Sequence, residues 1–294
     1  MLRLLAFLLL LPFAAACATT APPRPFTSDR ISVSVQGSGP DVVLIPGLSS
    51  HPSVWADTVA AVPGYRYHLV HVAGFTGKPA GANASGPVVE PVAGEIARYI
   101  GEAGLERPAL VGHSMGGTWA MLVAARHPEL VSRIMVVDML PALGPVFGGP
   151  NATPESLRPV AEQMRQGMAT ATGEARRRTI EQFVTPMVRT ESLRPRIIED
   201  SLRSDPAVSA QAFYELVLLD LRPELRNIRV PVTVLYVRPP NAPMTDAQME
   251  QAYRLSFANA PHAVLKRIPD AWHFIMFDEP EVFRRELRAF LEGR

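Results

Sequence analysis

The chain has 294 residues, of which 47% are apolar and 19% charged, and its formal net charge is +1. That apolar content supports a sizeable core and excludes global disorder. The near-neutral balance, without a long charge run, excludes a basic nucleic-acid footprint. With Cys17 as the single cysteine, no intramolecular disulfide can form.

At the N-terminus, Arg3 precedes an almost wholly apolar run from Leu4 to Phe13, and small residues follow at 14–18. The run is too short for a membrane span, which needs about 20 apolar residues. It predicts a secretory signal peptide over residues 1–18. Ala14-Ala15-Ala16-Cys17 resembles a bacterial lipoprotein box, in which the cysteine becomes the lipidated N-terminus, although Ala14 stands where leucine is usual. Ordinary cleavage after Ala18 is the other reading. The expectation is export in a bacterium, to the periplasm or to a membrane through lipidated Cys17. A proline-rich tether is expected over 19–29.

Beyond the tether, Ile31–Val35 alternates with period two and reads as a half-buried strand. Asp41–Ile45 is an apolar strand followed by Pro46-Gly47, and 67–72 is another strand. A helix is predicted over 88–103, a strand over 108–111, a helix over 116–127 and a strand over 133–138. After a long interval come a strand (230–237), a helix (246–259), a strand (263–268) and a helix (280–291). Strands alternating with helices predict a mainly parallel sheet covered on both faces. Residues 30–142 and 227–294 form that α/β core. The interval, 143–226, has helical stretches broken by prolines and no strand pattern. Leaving from a strand's carboxyl end, it is expected to be a helical cap or lid over the site. Most of its apolar residues (Met164, Met168, Phe183, Met187, Phe213, Tyr214, Leu218) should pack the cap, and a minority should line a pocket. Arg176-Arg177-Arg178 reads as a solvated helix face.

The chemistry centres on Gly112-His113-Ser114-Met115-Gly116, a G-x-S-x-G element. Five residues alone are a weak signal. A strand before and an Ala-rich helix after supply the strand–turn–helix setting of a nucleophile elbow. The serine there sits in a strained conformation, so its neighbours must lack bulk. The turn sets Oγ beside a helix start, whose N–H groups favour developing negative charge. A serine hydroxyl needs a base. His273, between the last strand and the last helix, is the candidate among seven histidines. His113 reads as structural. Trp55, Phe75 and Trp119 read as core before pocket wall, and Asp270 as shaping the histidine loop. No Cys/His cluster, His-Glu-x-x-His pattern or Walker loop occurs, so neither a metal nor a nucleotide cofactor is expected.

With Pro46-Gly47, the elbow and a later histidine in this order, the chain resembles the α/β-hydrolase superfamily over most of residues 30–292. The resemblance implies the α/β-hydrolase fold, a mostly parallel central sheet flanked by helices with an inserted helical cap. It implies oxyanion-hole N–H groups at Met115, after the nucleophile, and at Leu48, in the loop after an early strand. The His-Gly-Gly-Gly loop of some lipases and esterases is absent. In most relatives the triad acid follows the penultimate strand near Gly-x-x-Asp, but the stretch from Tyr236 to Asp246 lacks that pattern. Some haloalkane dehalogenases carry the acid after the preceding strand instead. Asp138, 24 residues beyond Ser114, has that placement. Asp138 is the first choice for the acid. Asp246, which suits a helix N-cap, is the alternative, and an arrangement with no conventional acid stays open.

The expected activity is a serine hydrolase, carboxylesterase-like, acting on a small-molecule ester of a small or medium acyl group through a Ser114 acyl-enzyme. A serine argues against haloalkane dehalogenase and epoxide hydrolase chemistry, which resembles this fold but uses an aspartate nucleophile. Lactonase, amidase or peptidase, C–C hydrolase, perhydrolase and acyltransferase activities stay open on the same triad. So does a different class: a catalytically silent binding protein of the cell envelope.

Overall fold

The computed structural model describes residues 26–149, 151–239 and 242–294. The expected signal segment, Cys17 and most of the tether lie outside the described residues. Seven strands form one sheet: β1 (Ile31–Gly37), β2 (Asp41–Ile45), β3 (Arg66–Val72), β4 (Ala109–His113), β5 (Arg133–Val137), β6 (Val232–Tyr236) and β7 (Val264–Arg267). Their spatial order is β1-β3-β2-β4-β5-β6-β7. Only β1 runs antiparallel, against β3, and the other pairs are parallel. This is the α/β-hydrolase fold.

The helices are α1 (Ala56–Ala61), α2 (Val89–Glu102), α3 (Met115–Arg126), α4 (Gly144–Gly148), α5 (Pro154–Thr170), α6 (Gly173–Val184), α7 (Arg194–Leu202), α8 (Pro206–Leu218), α9 (Asp246–Ser256), α10 (Ile275–Asp278) and α11 (Pro280–Leu291). The pleat divides the apolar strand residues between two cores. Val43 and Ile45 of β2 pack toward α2, α3 and α9, while Val42 and Leu44 pack toward Trp55, α10 and α11. Both faces are therefore buried, which is why β2 and β4 carry continuous apolar runs. Fully burying one such side chain contributes about 1.5–3 kcal/mol. Trp55, Phe75 and Trp119 are wholly buried core residues. Trp119 Nε1 donates to Val89 O at 2.9 Å, joining α3 to α2.

Between β5 and β6 run α4 to α8, with no strand among the described residues. This insert sits at the carboxyl edge of the sheet. Asp205 N donates to Gly74 O after β3 (2.7 Å), and Phe274 N after β7 donates to Met187 O (3.3 Å). Within the insert Phe213 is buried, whereas Phe183 is exposed. The arginine cluster divides. Arg177 and Arg178 reach only Glu181 and Glu174, while Arg176 donates to the Ser201 and Ser204 carbonyls and ties α6 to the end of α7.

Two short helices escaped the periodicity. α1, after a 3-10 turn at Pro52–Trp55, and α10 span six and four residues. Each is shorter than the two turns over which an apolar stripe can repeat.

Candidate active site

Ser114 alone separates β4 from α3, with φ 53° and ψ −125°. A non-glycine residue in that region costs on the order of 1–3 kcal/mol and persists only when its surroundings over-determine it. Here Ser114 N donates to Val137 O (2.9 Å), and Ser114 O accepts from Gly117 N (2.7 Å). The flanking glycines are required. A Cβ on Gly112 would lie 2.1 Å from Gly116 O, and one on Gly116 would lie 2.1 Å from Ile45 O. Met115, the first residue of α3, is buried beneath the turn.

The loop after β2 packs directly on this elbow. A Cβ on Gly47 would come within 3.0 Å of Ser114 Cβ. Ser50 N closes a turn onto Gly47 O at 3.2 Å, with Leu48 and Ser49 as its central residues. Ser49 has φ 56°, a value favouring glycine at the third position of a turn.

His273 follows β7. Its Nδ1 lies 2.6 Å from Asp138 Oδ2, and the two side chains are 20% and 10% exposed. Asp138 stands just past β5 with φ 52°, and its backbone N is anchored on Leu235 O at 2.7 Å. Its Oδ1 accepts from Val237 N (3.1 Å) and from the Tyr253 hydroxyl (3.2 Å). Burial, then the Asp138 charge, pushes the Tyr253 phenol well above its ordinary value, so it stays a donor. With Nδ1–H given to the carboxylate, the His273 Nε2 lone pair is left for proton transfer.

His113 is fully buried, and its Nε2 donates to the backbone carbonyl of His273 at 3.0 Å. Burial, then the neighbouring His273, holds its pKa well below that of free histidine. It is therefore a neutral prop under the histidine loop. Asp278 ties that loop to the insert: its Oδ2 accepts from Trp272 N (2.9 Å) and its Oδ1 from Thr190 N (2.9 Å). Asp270, at φ 61°, turns the chain ahead of His273.

Asp246 is placed differently. It is half-exposed and paired with Arg238 (2.6 Å) and Arg267 (3.0 Å). Nor is it the N-cap expected from the sequence. Thr245 caps α9, in a reciprocal box with Gln248, and Asp246 is the first helical residue, where its charge favours the helix dipole. A second histidine–aspartate pair, His68 Nε2 to Asp41 Oδ1 at 2.8 Å, lies near the amino ends of β2 and β3 and bonds Tyr99 rather than a serine.

Tyr253 and the Val237 N–H are the partners of Asp138 that sequence reasoning missed. The period of α9 places Tyr253 on the buried face with Met249, but nothing in it aims the hydroxyl at a residue so distant in the chain. Among the described residues, no group of three or more His, Cys, Asp or Glu side chains could hold a metal ion.

The profile of the Alpha/beta hydrolase family matches residues 42–286. The chain belongs to this family. This α/β hydrolase is 27% identical over 273 residues to the pimeloyl-[acyl-carrier protein] methyl ester esterase of Pectobacterium carotovorum subsp. carotovorum (strain PC1), covering 88% of the chain and 97% of that protein. It is 30% identical over 224 residues to the protein of the same name from Vibrio atlanticus (strain LGP32), covering 72% of the chain and 80% of that protein. An esterase from Exiguobacterium antarcticum superposes with a TM-score of 0.72 at 21% identity, covering 89% of this chain and 95% of that one, a likeness of fold. The α/β hydrolase is accordingly a hydrolytic enzyme.

Proposed function

We propose that the protein is a serine esterase that cleaves esters of small or medium acyl groups through a covalent intermediate on Ser114. The observation that carries this reading is the 2.6 Å contact between His273 Nδ1 and Asp138 Oδ2, set beside a strained serine elbow. Ser114 Oγ attacks the ester carbonyl as His273 Nε2 takes its proton. The tetrahedral oxyanion accepts hydrogen bonds from the backbone N–H groups of Met115 and Leu48. Collapse expels the alcohol, which receives the proton back from His273. Water, deprotonated by His273, then releases the acid and restores Ser114. Asp138 holds the imidazole tautomer and stabilises the imidazolium. Losing one oxyanion donor costs about 10²–10³ in rate.

The names of the two relatives make the methyl ester of an acyl chain the first substrate to try. The insert over 143–226 is read as the cap that selects the acyl group. The N-terminal pattern supports export, with anchoring through Cys17 if the box is used; mass spectrometry of the mature N-terminus distinguishes a lipidated Cys17 from a chain that starts after it.

The test is hydrolysis of a p-nitrophenyl ester series from acetyl to decanoyl. Wild type is expected to turn over the shorter members, and Ser114→Ala to lose roughly 10⁶ in kcat. Equal rates in the two proteins would overturn the reading, and a wild type that hydrolyses none of the series would favour a silent binding protein.

A further inference from the structure

The turn that carries Leu48 is not self-sufficient. Ser49 holds φ 56° without being glycine, and its supports come from elsewhere in the chain. Its hydroxyl lies 2.8 Å from that of Ser209 in α8. Its carbonyl accepts from Thr76 Oγ1 at 3.0 Å, with Ser204 Oγ at 3.3 Å. Ser204 Oγ also lies 2.9 Å from the Asp200 carbonyl and accepts from Thr76 N at 2.8 Å. Two hydroxyl protons thus serve two carbonyls, Thr76 to Ser49 and Ser204 to Asp200. At the next step of the loop, His51 N donates to Asp200 Oδ2 at 3.3 Å.

Ser49, Thr76, Asp200, Ser204 and Ser209 are each more than nine-tenths buried. Water cannot easily replace a bond lost among them. Three of the five belong to the insert. The start of α8 is itself docked on the core: Asp205 caps the helix through Ala207 N and Val208 N, and the Val208 side chain lies where a Cβ on Gly74 would stand. Ser209 therefore projects from a fixed element.

We propose that Ser209 and Asp200 are positioning residues: the insert, through them, holds the 47–51 turn so that the Leu48 N–H stays aimed at the oxyanion above Ser114. The insert would then serve the chemical step as well as substrate choice. This rests on Leu48 being an oxyanion donor. A loosened turn keeps the donor but spreads its direction, so the loss should be smaller than deletion of a donor.

The test compares kcat and KM for an oxygen ester and the matching thionoester, whose sulfur accepts hydrogen bonds poorly. Wild type should strongly prefer the oxygen ester. Ser209→Ala and Asp200→Ala should each lower kcat for it about tenfold, below the roughly 10²–10³ of a lost donor, with KM within about twofold because ground-state binding is untouched. The preference over the thionoester should shrink in parallel. Asp200→Asn, whose amide oxygen can still accept from His51 N, should recover most of the Asp200→Ala loss. A folded Ser209→Ala protein with wild-type kcat and wild-type preference would overturn the proposal, as would equal losses in Asp200→Asn and Asp200→Ala. An active wild type that accepts both esters equally would overturn the oxyanion assignment beneath it, a separate result. Should Ser209→Ala fail to fold, the Asp200 pair decides.

Discussion

The two sides of the site meet over Ser114, and each holds a non-glycine residue at positive φ, but they are held in opposite ways. The elbow is built by the core alone. Gly112 and Gly116 clear its space, Val137 O anchors its backbone, and Asp138 and His273 come from beyond β5 and β7, the strands on either side of β6. The turn after β2 has Ser49 where a glycine would relax, and hydroxyls from Thr76 and the insert hold it. A strained backbone can be stabilised from within, by close packing on a sheet, or from outside, by buried hydrogen bonds from an inserted segment. The first leaves a local sequence signature, and the second leaves none.

Substitutions can break either side. The largest effect is expected on the core side. Asp138→Asn should lower kcat about 10⁴-fold with the fold intact, since an amide no longer favours the working tautomer. Asp246→Asn should stay within about twofold, because its partners are surface arginines and exposed ion pairs contribute little. Steady-state kinetics beside thermal melts separates the two, and the reverse ranking would move the acid to Asp246. On the turn side, Ser49→Val should cost about 10²-fold, because a β-branched residue resists positive φ and the turn carries a donor. Ser49→Gly should lose less, since glycine tolerates the φ and only the Ser209 bond is gone. Equal losses would mean that the backbone conformation at 49 does not matter.

A smaller effect is expected at Tyr253→Phe, which deletes one of three donors to Asp138. The carboxylate that orients His273 is then held by one bond fewer, so kcat should fall by less than about tenfold, the scale of one neutral hydrogen bond, with KM little changed. A loss as large as that of Asp138→Asn would contradict this geometry. The smallest effect concerns stability against pH. Burial keeps His113 neutral in the fold and lowers His71 from 6.5 to about 4. In the unfolded chain both take up protons below about 6.5. The unfolded state then binds more protons, so stability should be level above that pH and fall as pH drops from 6.5 toward 4. Urea melts at stepped pH should show a shallower fall in His71→Gln.

Much of the sheet can be read from composition and period, because strands such as Asp41–Ile45 and Ala109–His113 are buried on both faces and flanked by turn residues. The elbow is legible for the same local reason. Asp138 is legible only through its distance from Ser114, since Tyr236–Asp246 offers no Gly-x-x-Asp to compete with it. The structure puts Asp138, not Asp246, on His273. The N-cap expected at Asp246 falls to Thr245 because the capping box needs Gln248 three residues on. Tyr253, Ser209 and Asp200 could not be found this way. Each acts on a residue more than a hundred positions away, through one polar atom on an otherwise ordinary helix face.

The most direct test of the central claim is labelling of the folded wild-type protein with a fluorophosphonate, followed by mapping of the adduct. The account predicts a stoichiometric adduct on Ser114, absent in Ser114→Ala and strongly slowed in Asp138→Asn. A folded wild type that takes no label, or takes it at another serine, would contradict it.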